Sequence, residues 1–173
     1  MAREFLPLAF SAEPSVATAA ARGLERCRQH SEFNTEVLKE LRTLVADQRA
    51  THAHRRALDL LIRFRDPDAV PLLINRVDDN KLRDLALRGL NEITLIQNRW
   101  GRNAWQSWYS KHAHEPRSLW LLEALDHREI EVRSQAIAEL YGETGENYGY
   151  DPSAPSRLRR AAILLARETI VPN

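Results

Sequence analysis

The chain has 173 residues, a length that favours one domain able to bury about 70% of its extended-chain surface. Charge is nearly balanced at +1, from 25 Lys and Arg against 24 Asp and Glu, which argues against a polyanion binder working by gross charge. Six Gly and eight Pro are few for a turn-rich all-β fold, and Leu and Ala outnumber Val and Ile. No apolar run approaches the roughly 18 residues that a membrane span needs.

Met1 to Phe10 hold a short apolar patch broken by Pro7 and preceded by Glu4. A secretory leader has a longer apolar core and no acidic start, so the expectation is a cytoplasmic protein whose residues 1–13 are an extended or frayed lead-in. The 3.6-residue period then begins. Pro14 to His30 predicts a first helix, capped by Ser11 or Ser15, with Val16, Ala20, Leu24 and Cys27 on one side. Asn34 caps a second, with Val37, Leu38, Leu41, Leu44 and Val45, and Thr51 opens a third, with Ala53, Ala57, Leu60, Leu61 and Phe64.

Asp66-Pro67 reads as a clean helix start, a capping carboxylate followed by proline at the first helical position. Val70, Leu73, Ile74 and Val77 continue that helix, and Pro71 is early enough in it to cost little. Asn80 caps a fifth helix carrying Leu82, Leu85, Ala86, Leu90 and Ile93. After a loop, Thr94 to Arg102, Asn103 caps a short helix with Trp105, Trp108 and Tyr109. Arg117 to Leu125 and Glu129 to Tyr141 follow, then a loop, Gly142 to Gly149. Asp151-Pro152 leads to a last helix from about Ser156, with the stripe Leu158, Ala161, Ala162, Leu165 and Ala166.

Two stretches of the chain copy each other. Leu82-Arg83-x-x-Ala86-Leu87-x-x-Leu90 matches Val132-Arg133-x-x-Ala136-Ile137-x-x-Leu140, fifty residues later. Each is preceded by an apolar helix and followed by a Thr (Thr94, Thr144), an Asn (Asn98, Asn147) and an aromatic-Gly pair (Trp100-Gly101, Tyr148-Gly149). A period of this size means stacked helix pairs, each burying its stripe only against its neighbours.

Asp66-Pro67-Asp68-Ala69-Val70-Pro71-Leu72-Leu73 as a first helix, and Val132-Arg133-Ser134-Gln135-Ala136 as the start of a second, resemble the HEAT-like repeat family, including its bilin-lyase type. The loop Thr144-Gly145-Glu146-Asn147-Tyr148-Gly149-Tyr150-Asp151 and the helix Trp105-Gln106-Ser107-Trp108-Tyr109 are similar to those of bacterial HEAT-repeat proteins. Neither copy keeps both features: the first loop reads Thr94-Leu95, and the second helix has Ala154-Pro155 where Trp is expected. The resemblance covers about Asn34 to Asp151. It implies an all-α, right-handed solenoid of about three helix pairs, extended by the Trp helix and the terminal helices, in one domain. It does not transfer a function, because such folds host many. The sequence stops after an apolar helix at Ile170-Val171-Pro172-Asn173, which suggests a slice of a longer solenoid able to self-associate through its end stripes.

Cys27 is the only cysteine, so neither an intramolecular disulfide nor a Cys-based zinc site forms, and its place on an apolar stripe marks it as a core residue. His52-Ala53-His54 points its two rings about 160° apart on a helix, which suits no metal. His112-Ala113-His114 precedes Pro116 and reads as solvated or helix-capping. A di-iron hydroxylase on HEAT repeats needs several His-Glu steps, and only His114-Glu115 is present. No Gly-rich phosphate loop and no Gly-x-Ser-x-Gly elbow appears.

Two features point outward. Trp100 to Trp120 is aromatic-rich, with Trp105 and Trp108 at core spacing and Trp100 in a loop. Of the basic residues only Lys39, Lys81 and Lys111 are lysine, so 22 are arginine. Arg56, Asp59 and Arg63 share a helix face with His52 above them; Arg83, Arg88, Arg133 and Arg157 to Arg160 extend a candidate basic strip. The expected function is therefore a non-enzymatic interaction or assembly scaffold. It binds a protein partner on a concave face through Arg56, Arg63, Arg88 and Trp100, with no cofactor, metal or membrane. The alternatives are a nucleic-acid-binding solenoid using the arginines and, behind it, a lyase-like or base-excision enzyme.

Overall fold

A computed structural model of the protein describes residues 2–30, 32–46 and 52–171. Thr51, expected to open a helix, lies outside them, as do Met1, Pro172 and Asn173. All regular structure among the described residues is helical. In order it comprises α1 (Ala2–Leu8), α2 (Pro14–Arg26), a π-helical stretch (Phe33–Leu38) running into α3 (Lys39–Ala46), α4 (His52–Arg63) and a 3₁₀ turn (Pro67–Ala69) running into α5 (Val70–Ile74). There follow α6 (Arg83–Thr94), α7 (Arg102–His112), α8 (Arg117–Ala124), α9 (Ile130–Thr144) and α10 (Ser156–Ile170). The fold class is all-α, and among the described residues no helix is long and apolar enough to cross a membrane.

The helices group into two compact units. One runs to Ile93 and takes in Trp100–Arg102; the other holds Thr94–Arg99 and the chain from Asn103.

In the first unit α1 packs on α2 and α3 packs on α4. The segment expected as an extended lead-in is helical instead. Leu6 and Ala9 are buried, and Phe5 closes on Gly23 of α2, so packing outweighs Pro7 in the last turn of so short a helix. Leu24, Phe33, Leu41, Leu58, Leu61, Leu73 and Leu90 form the centre, and Phe33 meets Phe64 edge-to-face at 5.1 Å. α6 comes so close to α4 at Gly89 that a Cβ there would lie 2.6 Å from Ile62.

The helix starts differ from expectation in an instructive way. Asp66 caps as predicted, accepting the Asp68 N–H at 3.3 Å ahead of Pro67. Elsewhere the short polar residue singled out is not the cap. Glu13 precedes α2, its N–H donating to Ser11 Oγ at 3.2 Å, and Asn34 lies inside the π-helical stretch behind Glu32. Asp79 rather than Asn80 accepts the Lys81 N–H at 2.8 Å, and Asn103 sits within the first turn of α7. Asp151 closes the turn before α10 through the Ser153 N–H at 2.8 Å.

Asp66 is more than a cap. At 1% exposure it accepts two N–H groups from Arg42 of α3, at 2.7 and 3.0 Å. Burial pushes its pKa above the ordinary carboxylate value, with the Arg42 hydrogen bonds and charge pulling the other way.

In the second unit α8 packs on α9 and α10 around Leu121, Leu122, Leu125, Ala136 and Leu140. The buried Tyr150 donates its hydroxyl to the Leu125 carbonyl, and burial raises its pKa. Trp105 is fully buried, the core role expected of it, and edge-on at 5.9 Å to Trp108, which is half-buried and meets Trp120 at 5.3 Å. Arg117 is buried between Glu139 and Glu143. α10 turns Ala162, Ile163, Ala166 and Ile170 inward and leaves Leu158, Leu164 and Leu165 exposed. The expected stripe is rotated to one side of this inner face: its Leu158, Ala161 and Leu165 are exposed, and Ile163 and Ile170 stand inward in their place.

The fifty-residue copies share local geometry as well as letters. Arg83 donates to the carbonyl of Val77 at 3.0 Å, and Arg133 to that of His127 at 2.7 Å, six residues back in each case. At the far end, Thr94 Oγ1 accepts the Ile96 N–H at 3.2 Å and Thr144 Oγ1 the Glu146 N–H at 3.3 Å. The residue between is left-handed in both, Gly145 at φ 78° and Leu95 at φ 59°. Glycine adopts this conformation freely, whereas for leucine it costs about 1–2 kcal/mol. Leu95 holds it because its side chain, 2% exposed, is part of the second unit's core.

Two stability measurements follow. Asp66→Ala is expected to lower stability by about 3 kcal/mol in urea unfolding, because Arg42 loses its buried partner and the turn loses its cap. Leu95→Gly relieves the backbone but empties a core position whose loss costs about 2–5 kcal/mol. The net expectation is destabilisation by about 2 kcal/mol, and a gain in melting temperature would overturn this account.

Candidate functional site

The face of α4 repeats at i, i+3, i+4 and i+7, so His52, Arg55, Arg56, Asp59 and Arg63 come to one side while Leu58 and Leu61 are buried on the other. α6 contributes Leu85, Arg88 and Glu92 with the same spacing, above buried Ala86 and Leu90. Two adjoining hollows open on this side of the first unit. The first, about 340 Å³, is walled by His52, Arg55, Arg56, Asp59 and Arg88, with Phe10, Pro14, Ala17 and Leu85 as its apolar part. The second, about 410 Å³, is polar: Glu25, Arg63, Arg65 and Glu92, with Asp59 and Arg88 common to both.

Three of the four residues expected to bind a partner therefore meet here. Arg63 makes a fork-to-fork pair with Glu25 of α2, at 2.8 and 2.9 Å. Arg88 donates to Asp59 at 2.9 Å and has Glu92 at 4.0 Å. Arg56 donates its Nε–H to the Ala9 carbonyl at 2.9 Å, which orients its remaining nitrogens along the first hollow, 3.7 Å from Asp59. Trp100, half-buried, lines neither hollow.

Other arginines of the expected strip are committed to neighbours within their own unit. Arg133 is 8% exposed and donates to the carbonyls of His127, Arg128 and Pro152, while Arg83 holds Val77. Arg159 and Arg160 both lie beside Asp126. Glu25 and Arg65 left no signal in the sequence because their partners are 38 and 27 residues away. Arg55 carried a signal in its adjacency to Arg56.

No known family model, curated protein or solved structure matches this chain.

The two groups of the site with shifted pKa values form an ion pair. Arg63 holds the Glu25 carboxyl below the ordinary carboxylate range by hydrogen bonding and charge, with burial opposing, and Glu25 raises Arg63 in turn. Neither shift poises a group near neutral pH, where a general acid or base would need to titrate. Among the described residues no group of three or more His, Cys, Asp or Glu is arranged to hold a metal. His54 is buried while His52 faces the first hollow, so this pair diverges; His112 pairs with Glu115 at 2.8 Å and stacks on Trp108. Cys27 is buried, as its stripe requires.

The Glu25–Arg63 pair has a defined pH signature. A carboxylate whose folded pKa is depressed contributes stability above its unfolded value of about 4.3 and loses it as pH falls through the lowered folded value. Both side chains are more than a third exposed, so screening keeps the effect below about 1 kcal/mol. Carbon-detected NMR titration of the Glu25 carboxylate is expected to give a midpoint below the ordinary value, and Arg63→Gln to restore it.

Proposed function

We propose that the chain is a HEAT-like α-solenoid module of cytoplasmic location that works without catalysis, binding a protein partner through the charged side of α4 and α6. The observation that carries this reading is the meeting of Arg56, Arg63 and Arg88 around two adjoining hollows, on helices anchored from beneath by Leu58, Leu61 and Leu90. Arginine is enriched at protein interfaces, and guanidinium groups already oriented by a neighbour lose less freedom on binding. The repeat reading is supported by the matched contacts of Arg83 with Val77 and of Arg133 with His127. α4 and α6 follow α3 and α5 as second members of sequential pairs, the position that lines the concave side of stacked helix pairs.

A nucleic-acid partner fits this side less well. In the second hollow Glu25, Asp59 and Glu92 interleave with Arg63, Arg65 and Arg88, so a phosphate strand would meet as many carboxylates as guanidiniums.

Affinity capture from the source lysate, with and without nuclease, tests the reading. The expected result is a defined protein that survives nuclease and is lost with Arg63→Glu, whose helicity and melting stay as in the parent because the pair is half-exposed. Captured nucleic acid, or proteins lost on nuclease treatment, would replace this reading with the nucleic-acid one. Full retention by Arg63→Glu would remove Arg63 from the interface.

A further inference from the structure

We propose that the first hollow is a docking cleft for a short acidic segment of a partner protein, its carboxylates on Arg55, Arg56 and Arg88 and an apolar side chain against Phe10 and Leu85. This rests on the interaction-module reading and names the chemistry of what that module takes.

Three elements build the cleft: the turn after α1 with the start of α2, the outer face of α4, and α6. Its charge is one-sided. Three guanidiniums surround a single carboxylate, Asp59, which Arg88 already satisfies at 2.9 Å. Arg55 has only a long contact to the Lys81 carbonyl, 3.4 Å, and no carboxylate partner among the described residues. His52, exposed one turn earlier on α4, makes no hydrogen bond to another described residue. Arg56 is fixed in place by the Ala9 carbonyl, so its cleft-facing nitrogens are preorganised. Three other arginines of this unit each carry a carboxylate partner instead: Arg42 with Asp66 and Asp68, Arg63 with Glu25, Arg65 with Glu92.

The apolar part sets the occupant apart from a bare anion. Leu85 and Ala17 are buried and Phe10 is half-buried, and the volume of about 340 Å³ falls within the range of sites that enclose a ligand's side groups. Carboxylates match the planar guanidinium fork, and an adjacent apolar residue fills the space between α2 and α6. The neighbouring hollow adds no net positive charge for a longer polyanion, since Arg63 and Arg65 there are paired with Glu25 and Glu92. A short acidic segment fits both conditions, and a nucleic-acid strand fits neither.

The test is an NMR titration of the full ¹⁵N-labelled chain with an acetylated octapeptide of glutamates bearing one central leucine. Its glutamine analogue and a thymidine octamer serve as comparisons. Saturable shifts are expected at Phe10, Arg55 and Leu85 with the glutamate peptide only. Arg55→Glu should raise Kd about two- to fivefold, the scale of one exposed charge contact. Arg128→Glu, a fully exposed reversal in the other unit, should leave Kd unchanged. No saturable shift, shifts confined to other regions, equal affinity for the octamer, or an unchanged Kd in Arg55→Glu would each overturn the proposal. Full retention of the captured protein by Arg55→Glu overturns the cleft alone; capture of no protein at all overturns the module reading beneath it.

Discussion

Short helices end often, and every C-terminal end leaves four carbonyls without an intrahelical partner. In this chain arginine supplies many of the missing donors. Arg56 reaches the Ala9 carbonyl just past α1, Arg76 that of Val45 in the last turn of α3, and Arg28 that of Phe64 past α4. Arg83 holds Val77 beyond α5, and Arg133 holds both His127 and Arg128 beyond α8. A guanidinium suits the task because its five N–H groups lie in one plane, so a single side chain can serve a carbonyl and still face a carboxylate or water. The abundance of arginine over lysine is thus first a property of the helix ends.

The same constraint shapes the candidate site. An arginine committed to a carbonyl is immobilised without being neutralised, which is the condition of Arg56. An arginine committed to a carboxylate is immobilised and neutralised, which is the condition of Arg63. The difference between the two hollows follows from this. Where α4 faces the α1 turn, backbone oxygens hold the guanidinium and the cleft keeps positive charge; where it faces α2, Glu25 removes it.

Periodicity located the apolar faces of α2 through α9 well, because burying a stripe does most to hold a helix in place and its spacing is written locally. It failed at α1, where Leu6 and Ala9 gain a helix only by packing on α2, a contact no window of a few residues contains. It also failed for most caps. Asn34, Asn80 and Asn103 have the right chemistry, but the neighbouring backbone places the helix start elsewhere, and Asp66 stood out because proline followed it. At the site, Arg56, Arg63 and Arg88 were legible as one face of a helix and a matching position on another. Glu25 was not, since ion pairs between distant helices leave no spacing in the sequence. At Thr94-Leu95 the letters of the two copies differ but the backbone does not, since Leu95 takes the left-handed shape that Gly145 has in the other copy.

Cys27 closes α2 with the chain's one thiol, buried between elements of the first unit. A thiol in that position reacts with a reagent only when the surrounding structure opens, so its labelling rate in native buffer is a clock for that opening. The chain therefore carries a built-in reporter on one unit and none on the other, and the opening of the first unit can be timed by itself without adding a probe.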